Sequence, residues 1–235
     1  SMDITVNTGV VWSKIDKSTF VRYQKDYGAG YINAFRTSKD LGSGVGPVVR
    51  FQDDASYGPA FDPSIMVYQW DAIDPFSPNY GKMTPWVAAE NDPSTFYETG
   101  LNSNQSIMLS GGGSDATFSL GYTRNDTKGN LPNSSIDKDQ FTFNASYDAT
   151  DRLTVSASGN YSRTVGMGRY GTGYNGRNPN QQFRQWWQTN VDIRQQEEAY
   201  WRNEQNTGQG TKTIQMIAEI TTMDMLPSII RLRIG

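Results

Sequence analysis

The chain has 235 residues, 36% of them hydrophobic and 19% charged, with a net charge of -3, a length that suits one good-sized domain or two. Its mean hydropathy of -0.64 and the lack of any run near the roughly 20 apolar residues of a spanning helix exclude a helical membrane protein, but not a β-barrel, whose strands need only about 10 residues of alternating polarity. Without a basic cluster nucleic acid is not an expected partner, and with no Cys and no His the chain is expected to carry no zinc site and no thiolate or His-based catalysis; it is also expected not to be an enzyme and to use no cofactor.

At the start, Ser1-Met2 reads as a tag scar and start codon, no signal peptide is visible, and the chain is expected to be an expressed fragment or a partial reading frame. Residues 3–12 give a first strand, with Ile4, Val6, Thr8 and Val10 on one side. Residues 13–100 mix Gly, Pro, Asp and aromatics without periodicity, which suits a large extracellular loop better than a compact soluble domain. A less regular strand spans 106–110, and Gly111-Gly112-Gly113-Ser114 makes a tight turn; it lacks the Lys and Ser/Thr of a phosphate loop. In the strand at 115–123, Ala116, Phe118, Leu120 and Tyr122 share a face; in that at 140–147, Phe141, Phe143, Ala145 and Tyr147 do. Residues 124–139 between them read as a long polar loop, and Asp148-Ala149-Thr150-Asp151 as a second tight turn. The clearest strand is 152–163, where Leu153, Val155, Ala157, Gly159 and Tyr161 alternate with Thr154, Ser156, Ser158, Asn160 and Ser162. Residues 181–202 read as one short loop helix, with Phe183, Trp186, Trp187, Val191 and Tyr200 on its apolar side.

The expected fold is therefore all-β, an antiparallel meander resembling part of a transmembrane β-barrel, with long extracellular loops and one short helix. Short, long, short connections follow the outer-membrane pattern. A soluble β-sandwich also alternates loop lengths, so it stays open, as a carbohydrate-binding module, at this point. A truncated gene product without activity is the third reading.

Several strings occur in an order that resembles the SusC/RagA family of TonB-linked outer-membrane proteins. They are Tyr23-Gln24-Lys25-Asp26-Tyr27-Gly28, Ser56-Tyr57-Gly58-Pro59-Ala60-Phe61-Asp62, Pro85-Trp86, Phe96-Tyr97-Glu98-Thr99-Gly100, Asn102-Ser103-Asn104, Ser110-Gly111-Gly112 and a stretch from Asp126 to Pro132-Asn133-Ser134. The resemblance implies a large barrel in the outer membrane, driven by TonB and lidded by a SusD-like surface lipoprotein, importing oligosaccharide or peptide cargo. The family's plug and coupling box are not found here, so this segment, 1–204, is expected to supply wall and loops and not to transport alone.

Residues 205–235 match nothing in that family. Read one base upstream, the codons of Met216-Ile217 must give Asp and those of Met223-Asp224 must give Gly, both where the family has them. The tail is therefore expected to be an out-of-frame translation that forms no domain.

Four aromatics, Trp186, Trp187, Tyr170 and Tyr174, are candidates for stacking on sugar rings, against the alternative that they pack loops together. Trp70 and Trp86 are candidates for the face that meets the lidding lipoprotein, again against loop packing. Asp53-Asp54 and the pair Asp71 and Asp74 lack the spacing of a calcium loop and read as solvated carboxylates. Asp192, Glu197 and Glu198 offer a glycosidase pair only if a pocket holds two of them apart; otherwise they form a wet helix face.

Overall fold

A computed structural model describes residues 1–38, 46–168 and 170–207. Its strands are β1 (Met2–Ser13), β2 (Arg36–Ser38), β3 (Gly46–Val48), β4 (Asp62–Val67), β5 (Thr84–Trp86), β6 (Gly100–Gly112), β7 (Ala116–Lys128), β8 (Ser135–Thr150) and β9 (Leu153–Met167), followed by helices α1 (Pro179–Gln185) and α2 (Ile193–Thr207). The described residues form two compact units, one within Ser1–Ile15 and Tyr97–Arg169, the other within Asp16–Phe96 and the described residues from Tyr170 onward. No helix among the described residues is long and apolar enough to cross a membrane.

The first unit is one antiparallel sheet in the order β1-β6-β7-β8-β9. All five strands expected from alternation are present, and each is longer than its apolar part. Residues 124–139 are not a long loop: β7 continues to Lys128 and β8 starts at Ser135, leaving only 129–134 as the connection. The ladder runs on because Arg124 pairs with Asp139 across the strands and Lys128 with Ser135, so polar partners carry it where apolar ones stop. The short connections, 113–115 and 151–152, lie at one end of the sheet. At the other end the chain leaves at Ser13, returns at Gly100, turns through 129–134 and leaves again after Met167. This unit is a single layer, without the second packed sheet that a sandwich requires.

The second unit has little regular structure, yet it has a core. Two small antiparallel pairs, β2-β3 and β4-β5, frame it, and Val49, Val67, Tyr68, Trp86, Phe183 and Ile193 are nearly inaccessible. Trp86 sits at its centre, 5.2 Å from the Phe35 ring and 5.0 Å from that of Phe61, with Nε1 donating to the Pro59 carbonyl at 3.1 Å. Two of the strings that carry the family resemblance close around it. The Gly28 amide donates to Pro59 O at 3.2 Å, that of Gly58 to Gly28 O at 3.0 Å, and that of Phe61 to Asp26 O at 2.9 Å. Only glycine fits at Gly28, where a Cβ would overlap the Trp86 ring, and at Gly58, where it would strike the Ala29 carbonyl.

Residues 181–202 are not one helix. α1 ends at Gln185 and α2 begins at Ile193, and the stretch from Trp187 to Asp192 between them is buried. Its side chains act as a polar pin. The Gln188 amide donates to the carbonyls of Arg50, Phe51 and Asp53. Asn190 accepts from the Ala29 amide at 3.0 Å and donates to Gln69 at 3.1 Å. Asp192 accepts from the Asn91 amide at 2.9 Å through one oxygen and, through the other, from the amide of Arg194 at 2.9 Å, capping α2. These bonds compete with helix formation and win. In the tail, 205–207 complete α2, and 208–235 lie outside the described residues.

Candidate functional surface

Residues paired across antiparallel strands point to the same face, so the register sorts the sheet into two surfaces. One face carries successive apolar rows: Val6, Ile107, Tyr122, Phe141 and Tyr161; then Ile4, Leu109, Leu120, Phe143 and Gly159; then Met2, Gly111, Phe118, Ala145 and Ala157; then Ala116, Tyr147 and Val155. The opposite face carries Asn7, Ser106, Thr123, Gln140 and Ser162, then Thr5, Met108, Gly121, Thr142 and Asn160, then Asp3, Ser110, Ser119, Asn144 and Ser158. One side is almost wholly hydrocarbon and the other almost wholly hydroxyl and amide.

The apolar side is open to its surroundings. Val6 is 66% exposed, Tyr161 60% and Phe141 50%, whereas a monomeric soluble protein rarely shows so large a contiguous apolar patch. On β9 the band runs from Leu153 to Tyr161, eight rises of about 3.4 Å, or about 27 Å along the strand. At a strand tilt of about 40° that covers about 21 Å, close to the roughly 25 Å apolar band of an outer-membrane barrel.

Towards the long connections the band ends in aromatics and then in charge. The rings of Tyr122 and Phe141 lie 4.6 Å apart and those of Phe141 and Tyr161 6.2 Å apart. The next row on that face is Gln105, Arg124, Asp139 and Arg163. Arg124 grips Asp126 at 2.6 Å and Asp139 at 3.1 Å, while the Tyr122 hydroxyl donates to Asp139 at 2.7 Å. The Tyr122 hydrogen bond first, and the Arg124 and Arg163 charges after it, hold the Asp139 carboxyl below its usual range against the opposing pull of burial. The same bond raises the Tyr122 phenol. Beyond this cluster Lys128 meets Glu98 at 2.5 Å.

The aromatics singled out in the sequence fare unevenly. Trp187 is only 6% exposed and packs edge-on to Phe183 at 5.6 Å, so it is core and not a stacking platform. Trp70, 3% exposed, and Trp86, 0%, are equally interior; neither offers a face to a lipoprotein, because both rings are used to fill the second unit. Trp186 is half-buried and Tyr174 is exposed, and their rings meet edge-to-face at 6.4 Å. Tyr170 is half-buried.

Three carboxylates expected in solvent are buried instead. Asp53 accepts from the Tyr31 amide at 3.2 Å with Arg36 and Arg50 nearby at 3.7 and 3.9 Å; Asp71 accepts from Asn79 at 2.6 Å; Asp74 accepts from the Phe76 amide at 3.0 Å. They staple loops, a task that needs them desolvated and hydrogen-bonded. Asp192 is buried as the cap of α2, Glu197 pairs with Arg194 at 2.7 Å and Glu198 is exposed, so the three do not face one pocket. Among the described residues no three His, Cys, Asp or Glu side chains gather as a metal site. A polar cleft of about 280 Å³ beside Trp70 is lined by Asp71, Glu90, Asn190 and Asp192; the Asp71, Asn190 and Asp192 side chains are already bonded within the chain.

Sequence reasoning missed the row of Tyr122, Phe141 and Tyr161 with its charged neighbours. The alternation placed each ring on the apolar side of its own strand, but only the register lines them up. No protein-family model matches this chain, and no curated protein is similar enough to it to count as a relative.

Proposed function

We propose that this chain is a stretch of wall and outer loops from a TonB-linked outer-membrane transporter of the SusC/RagA type. In that reading the apolar face of the β1-β6-β7-β8-β9 sheet meets lipid, the hydroxyl and amide face lines an aqueous interior, and the long connections project to the cell exterior. The observation that carries it is the division of one single-layer sheet into an exposed apolar face and a polar face, with short turns at one end and, at the other, the long excursion from Ser13 to Gly100 beside the shorter turn 129–134. A water-soluble sheet would cover such a face with a second layer. The parent machine would be powered through TonB, lidded by a SusD-like lipoprotein and charged with oligosaccharide or peptide; among the described residues β1 and β9 are unpaired edge strands and the sheet does not close a pore.

The absence of native cysteine makes the test clean. Phe143→Cys and Asn144→Cys, neighbours on opposite faces, are labelled with an environment-sensitive fluorophore after refolding into phosphatidylcholine vesicles. The Phe143 label should report hydrocarbon and be quenched by brominated lipid, and the Asn144 label should report water. Equal quenching at both positions, or a monodisperse chain in plain buffer that ignores vesicles, would end the reading.

A further inference from the structure

The apolar face is not uniform. At Gly159 nothing lies within 4 Å of where a Cβ would stand, which opens a notch in β9 between Ala157 and Tyr161. The hollow around it measures about 570 Å³ and is walled by Leu109, Leu120, Phe141, Phe143 and Tyr161, within the roughly 300–1,000 Å³ of small-ligand sites. Arg163 stands on the same strand and the same face, four residues towards the charged end, about 14 Å away at about 3.4 Å per residue.

The two arginines of that row differ. Arg124 is held by Asp126 and Asp139. Arg163 is exposed and makes no ion pair within 4.0 Å among the described residues, although Asp139 is its cross-strand partner. One Asp139 oxygen, Oδ1, already accepts from both Tyr122 and Arg124. A guanidinium left with free donors at the rim of an apolar band is matched to a planar or tetrahedral anion.

We infer that Arg163 and the Gly159 notch together form a site for one phosphate-bearing membrane lipid, the guanidinium taking the headgroup phosphate and the notch taking an alkyl chain that runs down β9 past Tyr161. The inference rests on the apolar face being the lipid face. It adds that this face selects its neighbour by charge, which a bare greasy wall does not do. Only an occupant with an anion at one end and hydrocarbon below satisfies both halves: a free phosphate leaves the hollow empty, and a phosphate-free lipid gives the Arg163 donors no acceptor.

The chain is refolded in a neutral detergent, and binding of phosphatidylglycerol and of diacylglycerol, which carries the same alkyl chains without a phosphate, is read by native mass spectrometry. The expected result is about a tenfold preference for phosphatidylglycerol, the size of one partly screened charge-assisted contact. Arg163→Gln should erase the preference, Arg163→Lys should keep most of it, and Gly159→Leu should weaken both lipids several-fold while leaving their ratio alone. Circular dichroism in the same micelles checks that each variant keeps its sheet. A wild-type chain that binds both lipids equally, or an Arg163→Gln variant that still prefers phosphatidylglycerol, overturns this site while leaving the lipid-facing reading intact. A chain that takes up neither lipid and needs no detergent overturns both.

Discussion

Replacing Leu120 with arginine puts a guanidinium in the second apolar row of the sheet, with the Tyr122 row on one side of it and the Phe118 row on the other. The outcome depends on what surrounds that face. In water Leu120 is already 45% exposed, so about half of the roughly 1.5–3 kcal/mol available from burying a leucine is at stake, and the arginine stem recovers part of it. In a bilayer the same change costs about 2–4 kcal/mol near the midplane. The control is Ser158→Arg, on the opposite face in the row of Ser119 and Asn144, where an exposed polar position predicts a change within about 0.5 kcal/mol. With a urea slope of about 2 kcal/mol/M, Leu120→Arg should lower the unfolding midpoint in vesicles by roughly 1–2 M and Ser158→Arg by less than about 0.3 M. Equal shifts for the two variants, or a Leu120→Arg chain that is more stable in lipid than the parent, would refute the assignment of the faces.

Three further outcomes follow from the geometry. Asp139 is held below its ordinary carboxylate value of 3.8 by Tyr122, Arg124 and Arg163, so its contribution to stability is complete above that value and disappears as pH falls through the lowered one; an unfolding series across this range should lose a step in Asp139→Asn. Tyr97 is pushed up to about 12 by burial, so an ultraviolet titration should show a late phenolate, beside the raised Tyr122 phenol, that is lost in Tyr97→Phe and moves to about 10 on unfolding. Gln188→Ala leaves the carbonyls of Arg50, Phe51 and Asp53 without their shared donor and should cost about 2–3 kcal/mol, read from tryptophan emission, since every tryptophan except Trp12 lies outside the sheet unit. An unchanged midpoint in that variant would show the pin to be dispensable.

The sheet was legible because its strands alternate strictly: Leu153, Val155, Ala157 and Tyr161 against serines and threonine leave little choice of face. Its upper third was not, because Arg124, Asp126 and Lys128 face Asp139, Asp137 and Ser135, and a charged ladder looks like a loop when only hydrophobicity is counted. The second unit was opaque for a different reason. Its interior comes from isolated residues such as Val49, Val67 and Trp86, and its most buried stretch includes Gln188, Asn190 and Asp192, residue types that usually face water. What reveals them is their set of partners, up to 161 positions away in the chain, and that has no local signature. The same distance explains why Trp70, Trp86 and Trp187 read as surface aromatics: large rings among Gly, Pro and Asp resemble a recognition loop until the chain that buries them is in place.

The polar pin also sets a schedule. The loops that Gln188 and Asn190 fasten, around Ala29, Arg50 and Gln69, are made long before the pin itself, and at about 5–20 residues per second the interval between residues 96 and 187 is about 5–20 s. During that time the Ala29 amide, the Gln69 side chain and the carbonyls of Arg50, Phe51 and Asp53 wait without these partners, a window in which a holding chaperone or a protease competes for them before the last stitch is drawn.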